Sequence, residues 1–506
     1  TLIMFRMSPA GECPSIHYTA CVQPPRQAFG YLLEYKALAA DTGPVSERFD
    51  VRSPYDGSVV GQARLADAAE FDRAAGAAVA AARRVVRLPA HERAAILTRV
   101  SAAITADREA IARTLAAEAG KPVKDALVET ARAAMTFQVA AEEARRLSGE
   151  VIPMDLAAHG EQRIGIVRRF PIGPIAAISP FNFPLNLAAH KLAPALAAGN
   201  TIVLKPARKT PLSALTLGRL LDEAGAPEHA VQVLPMSREV GDRLVTDDRF
   251  RLLTFTGSSP VGWGMKARAG RKKDILELGG NAGVIVNDDA DVAFAARRVA
   301  AGGFGYAGQS CISVQRVYVH DRVFDAFAEA LTALVEKLVV GDPLDPSTDV
   351  GPLIEESEAE RIDTWVNEAV GAGAQVLTGG RRLGGALYAP TVLTHVPADA
   401  KLCAEEAFAP LVSLYRFSTL DAAITEVNRS RFGLQAGLFT RDLPGTLLAY
   451  DTLDVGGVIV NDVPTWRIDH MPYGGVKESG LGREGPRYTI EEMTEPKLLV
   501  INRAMS

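Results

Sequence analysis

Short apolar runs alternate with helical segments through the middle of this chain of 506 residues, and that alternation limits the possible folds more than any other feature. The runs AAISP, TIVLKPA, AVQVLP and RLLTFTG are each too short for a helix. Longer stretches with helical spacing, such as LAAHKLAPALAAG and LSALTLGRLLDEAG, separate them. Strands and helices in this alternation form a parallel sheet with crossover connections, the usual platform for a dinucleotide. The pattern predicts an α/β fold.

Two further patterns flank the central one. Before it, residues 66–147 are rich in alanine and arginine with helical spacing, and two β-like runs, GEVIPMD and RIGIVRRFP, then predict a protruding hairpin. After it, from about residue 280 to 475, strand and helix patterns alternate again. A chain of this length is expected to form two or three domains, so the second alternation predicts a second α/β domain.

The composition argues against several classes of protein. The net charge is −5, so no overall positive field attracts nucleic acid or an anionic membrane. No apolar run approaches the ~18 residues that span a bilayer, and the N-terminus lacks the apolar core and cleavage site of a secretory signal. Four cysteines cannot form a disulfide framework, so we expect a cytoplasmic protein. Cys13 and Cys21 lack partners at the spacing of a metal site, and no metal is expected.

Cys311 lies between small and polar neighbours in the segment YAGQSCISVQR. A structural cysteine usually lies among apolar side chains, whereas this one follows Gln309 and Ser310 just before a predicted strand. The thiolate is the reactive form and a free cysteine has a pKa of ~8.5, so a nearby positive group or cofactor is needed to raise the thiolate fraction. We interpret Cys311 as a candidate nucleophile; the alternative is an inert buried cysteine.

Two further side chains are candidates for catalysis. Glu277 lies between Leu276 and Leu278 at a strand end, where burial of a carboxylate raises its pKa and makes it a candidate general base. The alternative is strand alternation that points Glu277 to solvent. Asn182 in FNFP lies at a sharp turn before a helix, and its amide is a suitable donor to an oxyanion. The alternative for Asn182 is a helix cap.

Two glycine-containing segments compete as the cofactor loop. GGFGYAG at 302–308 contains G-x-G-x-x-G, but it follows a helical segment rather than a strand, so we interpret it as flexible glycines near the cysteine. LLTFTGSSPVG at 252–262 is favoured: Gly257 permits a tight turn, and Ser258 or Ser259 can cap the next helix. A helix N-terminus suits a pyrophosphate, although an ordinary capped turn has the same sequence.

Lys205 is a third candidate for contact with a cofactor. It ends the run TIVLK, and Pro206 turns the chain at the place where ligands of parallel sheets bind. A lysine at this position can contact ribose hydroxyls or phosphate. The alternative is a solvated lysine at a strand end.

Seven motifs occur in the order found in the aldehyde dehydrogenase superfamily, and the chain resembles that superfamily over about residues 46–502. The motifs are FNFP, LKPA, FTGS, LELGG, GQSC, EEAFAP and PYGGVKESGLGREG. The resemblance implies oxidation of an aldehyde to its carboxylic acid with NAD or NADP. A cysteine thiohemiacetal and a thioester are the implied intermediates, with water activated by a glutamate.

The resemblance also assigns roles to individual residues. For catalysis it implies Cys311 as nucleophile, Glu277 as general base, Asn182 with the Cys311 backbone N–H as oxyanion donors, and Lys191 as a proton relay. For the cofactor it implies Lys205 and Glu406 at the two riboses, Ser258 with Gly257 at the pyrophosphate, Phe408 beside the nicotinamide, and Ser179 and Pro180. The candidate substrate residues are Arg467, His190 and Phe183.

Departures from the family pattern bear on specificity. Family members that prefer NAD commonly have a glutamate where this chain has Arg208, and that glutamate accepts bonds from ribose hydroxyls. An arginine cannot accept them but can bind a 2′-phosphate, so NADP is favoured over NAD. EEAFAP has Ala409 in place of a glycine, and FNFP has Phe181 where many relatives carry tryptophan.

The segment NDVPTWRIDHMPYGG precedes the last motif, where the family lines its substrate tunnel. Arg467 is a candidate for binding a carboxylate, phosphate or sulfonate; the alternatives are a salt bridge to Asp469 or a solvated loop. The pattern therefore resembles members that act on small hydroxylated or acidic aldehydes. Two rival functions are a CoA-acylating enzyme, which generally lacks the glutamate at position 277, and a catalytically silent structural member of the fold.

The resemblance implies a Rossmann-like parallel-sheet cofactor domain, a second α/β catalytic domain and a small β oligomerisation arm. Such arms join subunits into homodimers or homotetramers. The predicted boundaries are 1–45 for an N-terminal extension, 46–147 and 168–275 for the cofactor domain, 276–480 for the catalytic domain, and 148–167 and 486–506 for the arms.

Overall fold

A six-stranded sheet contains the strands of the central pattern. The computed structural model describes residues 47–504, so the whole of the predicted extension, with both of its cysteines, lies outside the described residues. Neighbouring strands are parallel except at one edge, where the short strand Gly480–Leu481 is antiparallel to its neighbour Lys273–Glu277. Across the sheet the strands are Gly480–Leu481, Lys273–Glu277, Leu252–Thr256, Ile175–Ile178, Ile202–Lys205 and Val231–Val233.

The inner strands of this sheet are covered on both faces. Every residue of Ile175–Ile178 and of Leu252–Thr256 is buried, which explains why the sequence shows continuous apolar runs there rather than alternation. The alanine-rich helix Asn186–Ala198 is buried along its whole length because its small side chains permit close packing. The helices around this sheet are Ala68–Val85, Ala90–Ala106, Arg108–Ala119, Val123–Arg146, Asn186–Ala198, Leu212–Glu223, Arg238–Thr246, Ser259–Lys266 and Pro486–Glu492.

A seven-stranded sheet forms the second α/β layer and is parallel except at its first pair. Its apolar side chains pack with the covering helices into a separate core cluster. Across the sheet the strands are Gln375–Thr378, Thr391–Thr394, Leu411–Phe417, Val314–His320, Ala282–Val286, Gln435–Phe439 and Gly457–Val460. The helices that accompany it are Val292–Phe304, Phe324–Val335, Glu356–Gly371, Lys401–Ala404, Leu420–Asn428 and Leu443–Thr452.

The predicted hairpin is part of a three-stranded antiparallel sheet. Arg163–Pro171 is the central strand, with Glu150–Ile152 on one side and the C-terminal strand Thr494–Asn502 on the other. The remaining strands form antiparallel pairs: Arg48–Arg52 with Val59–Arg64, Arg382–Gly384 with Leu387–Tyr388, and Phe432–Gly433 with Val476–Lys477. The α/β fold predicted from the sequence is confirmed.

Two details refine the sequence analysis. The predicted boundary after residue 275 runs through the strand Lys273–Glu277, which belongs wholly to the first sheet, and the division into domains stays a prediction. The segment GGFGYAG begins inside the helix Val292–Phe304 and continues as a 3₁₀ turn, so no strand precedes it.

Within residues 47–504, no helix has the length and apolarity needed to cross a membrane.

Candidate functional site

A cavity of about 1760 Å³ opens along the carboxyl ends of the first sheet, where ligands of parallel sheets bind. Four strand ends contribute side chains to its wall, and loops from the second sheet close the opposite side. Eleven of the predicted site residues line this main cavity: Ser179, Pro180, Asn182, Lys205, Arg208, Gly257, Ser258, Glu277, Cys311, Glu406 and Phe408. Four predicted residues are not part of its wall: Phe183, His190, Lys191 and Arg467.

Cys311 lies on the wall of the main cavity, just before the strand Val314–His320. Its Sγ lies 3.0 Å from the phenolic oxygen of Tyr473. Burial raises the pKa of the Cys311 thiol to about 12; the Tyr473 hydrogen bond lowers that pKa, Glu406 raises it and Arg467 lowers it. The raised pKa favours the protonated thiol, although the place of Cys311 on the cavity wall argues against an inert core cysteine.

Asn182 lies on the same wall with only 5% of its surface exposed. Its Nδ2 donates a hydrogen bond to the carbonyl oxygen of Gln309 at 3.1 Å, which ties the amide to the segment that carries Cys311. A carboxamide has two N–H donors, so the bond to Gln309 leaves one for another acceptor. Asn182 does not cap a helix: the helix begins at Asn186.

Glu277 ends a strand of the first sheet and is 3% exposed, so the alternative that it points to solvent is wrong. Neither carboxylate oxygen has a hydrogen-bond partner among the described residues. Burial raises the pKa of Glu277 well above its usual range, and the Glu484 carboxylate raises it further, while Arg467 and Lys191 act in the opposite direction. The absence of a side chain at Gly474 leaves room for this carboxyl, because a Cβ there would lie 2.9 Å from Oε1.

The cofactor candidates on the first sheet lie at three neighbouring strand ends. Lys205 crosses the helix Arg238–Thr246 at Gly241, where a Cβ would come within 2.6 Å of its Cε, and burial lowers the pKa of Lys205. The hydroxyl oxygens of Ser179 and Thr256 are buried without partners among the described residues. Unpartnered polar groups at these strand ends fit a ligand with hydroxyl or phosphate groups.

The predicted serine cap on the next helix is correct in position but not in its side-chain bond. Ser258 occupies the N-cap position of the helix Ser259–Lys266, but it makes no side-chain cap bond. The Ser259 hydroxyl instead donates to the carbonyl oxygen of Glu478 at 2.9 Å. The start of this helix nevertheless borders the main cavity through Gly257, Ser258 and Pro260.

Glu406 and Phe408 form the wall opposite these strand ends. Glu406 accepts a hydrogen bond from the Gly280 N–H at 2.8 Å, and burial raises its pKa to about 7 against the effect of that bond. Phe408 has a φ of 50° and packs edge to face on Phe181, with ring centres 5.9 Å apart. Ala409, which replaces the glycine of the family motif, directly follows this left-handed backbone conformation at Phe408.

Arg208 lies exposed at the outer part of the main cavity. Its guanidinium carbon lies 5.1 Å from the centre of the Phe49 ring, and no carboxylate among residues 47–504 forms an ion pair with it. Its neighbour Lys209, by contrast, pairs with Glu355 at 2.8 Å. Arg208 is thus a cation at the cavity that remains available to an anionic ligand.

Lys191 and Arg467 lie behind the cavity wall and meet at Glu484. Lys191 Nζ donates to Thr254 Oγ1 at 3.0 Å and to Glu484 Oε1 at 3.3 Å. The Arg467 guanidinium lies 3.5 Å from Glu484 Oε2 and stacks on the Tyr473 ring, 3.6 Å from its centre. The predicted alternatives for Arg467, an ion pair with Asp469 or a solvated loop, are both wrong.

Asp469 instead belongs to a second buried group around the helix Asn186–Ala198. Its carboxylate pairs with Arg132 at 2.8 Å and accepts from Asn186 at 2.9 Å. His190 Nε2 lies 2.9 Å from the same carboxylate, and burial lowers the pKa of His190. His190 is 0% exposed, so the structure does not place it on the cavity wall, and its predicted substrate role stays a prediction.

Phe183 packs away from the main cavity. Its ring meets Tyr306 edge to face at 6.0 Å, and Lys121 Nζ lies 3.6 Å from the ring centre. Tyr473 and Glu484, which contact Cys311 and Lys191, belong to the motif PYGGVKESGLGREG but were not predicted as site residues. Among residues 47–504, no group of three or more His, Cys, Asp or Glu side chains is arranged to hold a metal ion.

Comparison with known proteins gives a consistent result. A model described as the aldehyde dehydrogenase family matches residues 42–499. The 3-sulfolactaldehyde dehydrogenase of Priestia aryabhattai is 48% identical over 413 residues, which cover 81% of this chain and 86% of that protein.

Two crystal structures are similar over almost their whole length. Aldehyde dehydrogenase 21 from Physcomitrella patens, in complex with the reaction product succinate, has a TM-score of 0.89 and 47% identity over 92% of this chain and 97% of that one. Glyceraldehyde-3-phosphate dehydrogenase from Methanocaldococcus jannaschii, complexed with NADP, has a TM-score of 0.86 and 39% identity over 90% of this chain and 99% of that one.

Proposed function

This chain belongs to the aldehyde dehydrogenase family, and from that premise we propose that it oxidises a small anionic or hydroxylated aldehyde to the carboxylic acid, with NADP as preferred acceptor. As a member of this family it is an oxidoreductase that uses NAD or NADP. The observation that carries the proposal is the meeting of a thiol, an amide donor and an unpartnered carboxyl on one cavity wall, at Cys311, Asn182 and Glu277.

The first proposed step is attack by the Cys311 thiolate on the aldehyde carbon, which converts the carbonyl oxygen into an alkoxide. The free N–H of Asn182 and the backbone N–H of Cys311 are proposed to donate to that oxygen. The bond from Asn182 to the Gln309 carbonyl supports this role, because it holds the amide in place before the substrate arrives. The product of attack is the alkoxide form of a thiohemiacetal on Cys311.

The last proposed step is hydrolysis of a thioester on Cys311. Glu277 is proposed to take a proton from water, which then adds to the thioester carbon and releases the acid and the thiol. A raised pKa suits a general base near neutral pH, and the two unpartnered oxygens leave it ready to bind water. Lys191 and Glu484 influence the pKa of this carboxyl and form a buried ion pair, so we propose that they relay its proton.

The residues around the main cavity fit NAD(P). The unpartnered hydroxyls of Ser179 and Thr256, the half-buried Lys205 and the helix start at Ser258 offer donors along one edge of the sheet. Glu406 and Phe408 are proposed to hold the second ribose and the nicotinamide from the opposite wall. When bound, NAD(P) supplies the hydride acceptor.

Preference for NADP is tested by changing Arg208. An exposed arginine without a carboxylate partner can bind a 2′-phosphate, so Arg208→Gln is expected to lower kcat/KM for NADP roughly tenfold to a hundredfold, with little change for NAD. Steady-state rates with both cofactors measure this. Lys209→Gln is the control, because Lys209 is already paired with Glu355 and its loss is expected to leave the ratio unchanged. A native enzyme that clearly prefers NAD would contradict the proposal.

The proposed anionic substrate is supported by the names of the relatives. Those names carry a sulfonate, a dicarboxylate product and a phosphate, three different anions attached to small carbon chains. In this chain Arg467 lies behind the cavity wall, where it stacks on the Tyr473 ring that contacts the Cys311 sulfur, so its positive charge lies close to the nucleophile. We propose that Arg467 attracts the anionic end of the aldehyde.

A panel of aldehydes tests the substrate class and Arg467 together. Succinic semialdehyde, sulfoacetaldehyde and lactaldehyde are compared with uncharged aldehydes of the same length, with both cofactors and with or without CoA. We expect the anionic or hydroxylated members to have the highest kcat/KM, and Arg467→Met to raise KM roughly tenfold or more for the anionic ones alone. Equal KM values in native enzyme and variant would refute the role of Arg467, and a requirement for CoA would favour the acylating alternative.

The oligomeric state is a further part of the proposal. The C-terminal strand Thr494–Asn502 is an edge strand, and its side chains Leu498–Ile501 remain 42% to 55% exposed. An exposed apolar edge strand is a template for pairing with another chain. We propose that it joins subunits into a homodimer or homotetramer, and a monomer in sedimentation at micromolar concentration would contradict this.

A further inference from the structure

We infer that Tyr473 is a further catalytic residue of this enzyme, whose phenolic O–H donates a hydrogen bond to the Cys311 sulfur when that sulfur becomes a thiolate. The inference rests on the proposed role of Cys311 as the nucleophile. It concerns a residue of the segment PYGG whose ring alone would be enough for packing. The hydroxyl group is what demands an explanation.

The phenol and the thiol are in direct contact. Oη of Tyr473 lies 3.0 Å from Sγ of Cys311, and it is the hydrogen-bond partner that residues 47–504 provide for that sulfur. Both side chains belong to a small apolar cluster with Ile312, Leu434 and Met471, and Tyr473 is only 3% exposed. Burial of the phenol shields the donor side of this hydrogen bond from water, which strengthens it.

The backbone holds the phenol in this position. The Tyr473 N–H donates to the Glu484 carbonyl at 3.1 Å, and the Glu484 N–H donates to the Tyr473 carbonyl at 2.6 Å. These two bonds form an antiparallel bridge between Tyr473 and Glu484. Because both the N–H and the carbonyl of Tyr473 are bonded, the backbone that carries the ring is held in place. The contact with Cys311 therefore does not depend on a flexible loop.

The charges around the sulfur explain why a donor is needed. Burial raises the pKa of the Cys311 thiol, and the carboxyls of Glu406 and Glu277 raise it further, while Arg467 and the Tyr473 bond lower it. The Arg467 guanidinium stacks on the phenol rather than touching the sulfur, so its charge acts on the thiolate through the ring. Burial also raises the pKa of Tyr473 well above its usual range, which keeps the proton on the phenol oxygen.

Alkylation of Cys311 by iodoacetamide measures thiolate availability without the aldehyde reaction. The proton of the thiol passes to buffer, the thiolate forms an S–C bond, and iodide leaves with the electrons of the C–I bond. Peptide mass spectrometry identifies the modified cysteine. We expect Tyr473→Phe to slow this alkylation roughly tenfold or more at each pH between 7 and 10, because a bond to a charged group is lost. We expect kcat/KM for the best aldehyde to fall in parallel.

Tyr388→Phe is the matched control. Tyr388 is as deeply buried, at 1% exposure, but it belongs to the core of the second sheet rather than to the cluster around Cys311, so removal of its hydroxyl costs no bond to sulfur. The rate of Cys311 alkylation in the Tyr388→Phe variant is expected to match that of the native enzyme at each pH. A Tyr473→Phe variant that alkylates at the native rate across the pH range would overturn the inference.

A second variant covers the case in which Tyr473→Phe fails to fold. Incorporation of 3-fluorotyrosine at position 473 keeps the hydroxyl and makes it more acidic, so it is expected to speed alkylation at a given pH; an equal or slower rate would overturn the inference. The proposed function fails separately, because a fully active Cys311→Ser enzyme would refute the nucleophile itself. An inactive Cys311→Ser enzyme with a native Tyr473→Phe profile would refute the role of Tyr473 alone.

Discussion

Replacement of Cys311 by serine is expected to abolish aldehyde oxidation, with kcat reduced roughly 10⁴-fold or more. A serine hydroxyl at this position lacks the nucleophilicity of a thiolate, and its contact with a phenol provides no general base to activate it. Serine nearly preserves the size of the side chain, so the fold and the cavity are expected to persist. Formation of reduced cofactor with the best aldehyde of the panel measures the loss.

The control for this prediction is the other free cysteine that the structure describes. Cys403 is also partly buried, but it lies outside the main cavity, and Cys403→Ser is expected to retain activity. Thermal unfolding of both variants separates loss of chemistry from loss of fold. A Cys311→Ser enzyme that turns over at the native rate would remove the basis of the proposed mechanism.

Glu277→Gln is expected to separate the two halves of the reaction. Steady-state kcat is expected to fall roughly 10²-fold to 10⁴-fold, because glutamine cannot accept a proton from water. The first turnover is expected to remain, since the steps before hydrolysis do not use this carboxyl. Stopped-flow absorbance should therefore show one equivalent of reduced cofactor per site, and mass spectrometry should find an acyl group on Cys311.

Glu358→Gln is a suitable control, because Glu358 lines the same cavity but pairs with Arg361 at 2.7 Å. It is expected to keep both the burst and the steady state. Loss of the burst together with turnover in Glu277→Gln would contradict the assigned role and indicate that this carboxyl acts before the thioester forms.

The same variant has a defined effect on stability. The pKa of Glu277 is raised in the folded protein, so its contribution to stability is fully present below the ordinary value of 4.5 and is lost as pH rises through the folded pKa. Above that pKa the native protein carries an unpartnered buried charge, which glutamine removes. Glu277→Gln is therefore expected to unfold at higher denaturant concentration than the native protein at pH 8, with the difference shrinking toward pH 4.

Local patterns in the sequence were enough to predict the class of fold and the surroundings of several site residues. The short apolar run at Ile175–Ile178 indicated a strand of a parallel sheet, and the strand end at Glu277 offered a buried carboxyl as one of two alternatives. Both predictions depend on neighbours within a few positions. The ordered motifs then supplied the family, because the spacing of seven segments carries information that no single segment has.

Contacts between distant parts of the chain could not be predicted in this way. The partner of the Ser259 hydroxyl could not be predicted because it is the Glu478 carbonyl, which is 219 positions away. The ion pair expected between Arg467 and Asp469 failed because Asp469 faces Asn186, 283 positions away. The role of Tyr473 could not be predicted for the same reason, because it depends on a contact with the Cys311 sulfur, 162 positions earlier.

The short strand Gly480–Leu481 has a consequence for how the reactive centre is assembled. It pairs with the strand that ends at Glu277, and the segment just before it carries Tyr473. Pairing of this edge strand therefore brings the phenol toward the thiol and closes the sheet beside the carboxyl. Formation of a sheet edge and completion of the nucleophile's surroundings are thereby linked in one step of folding.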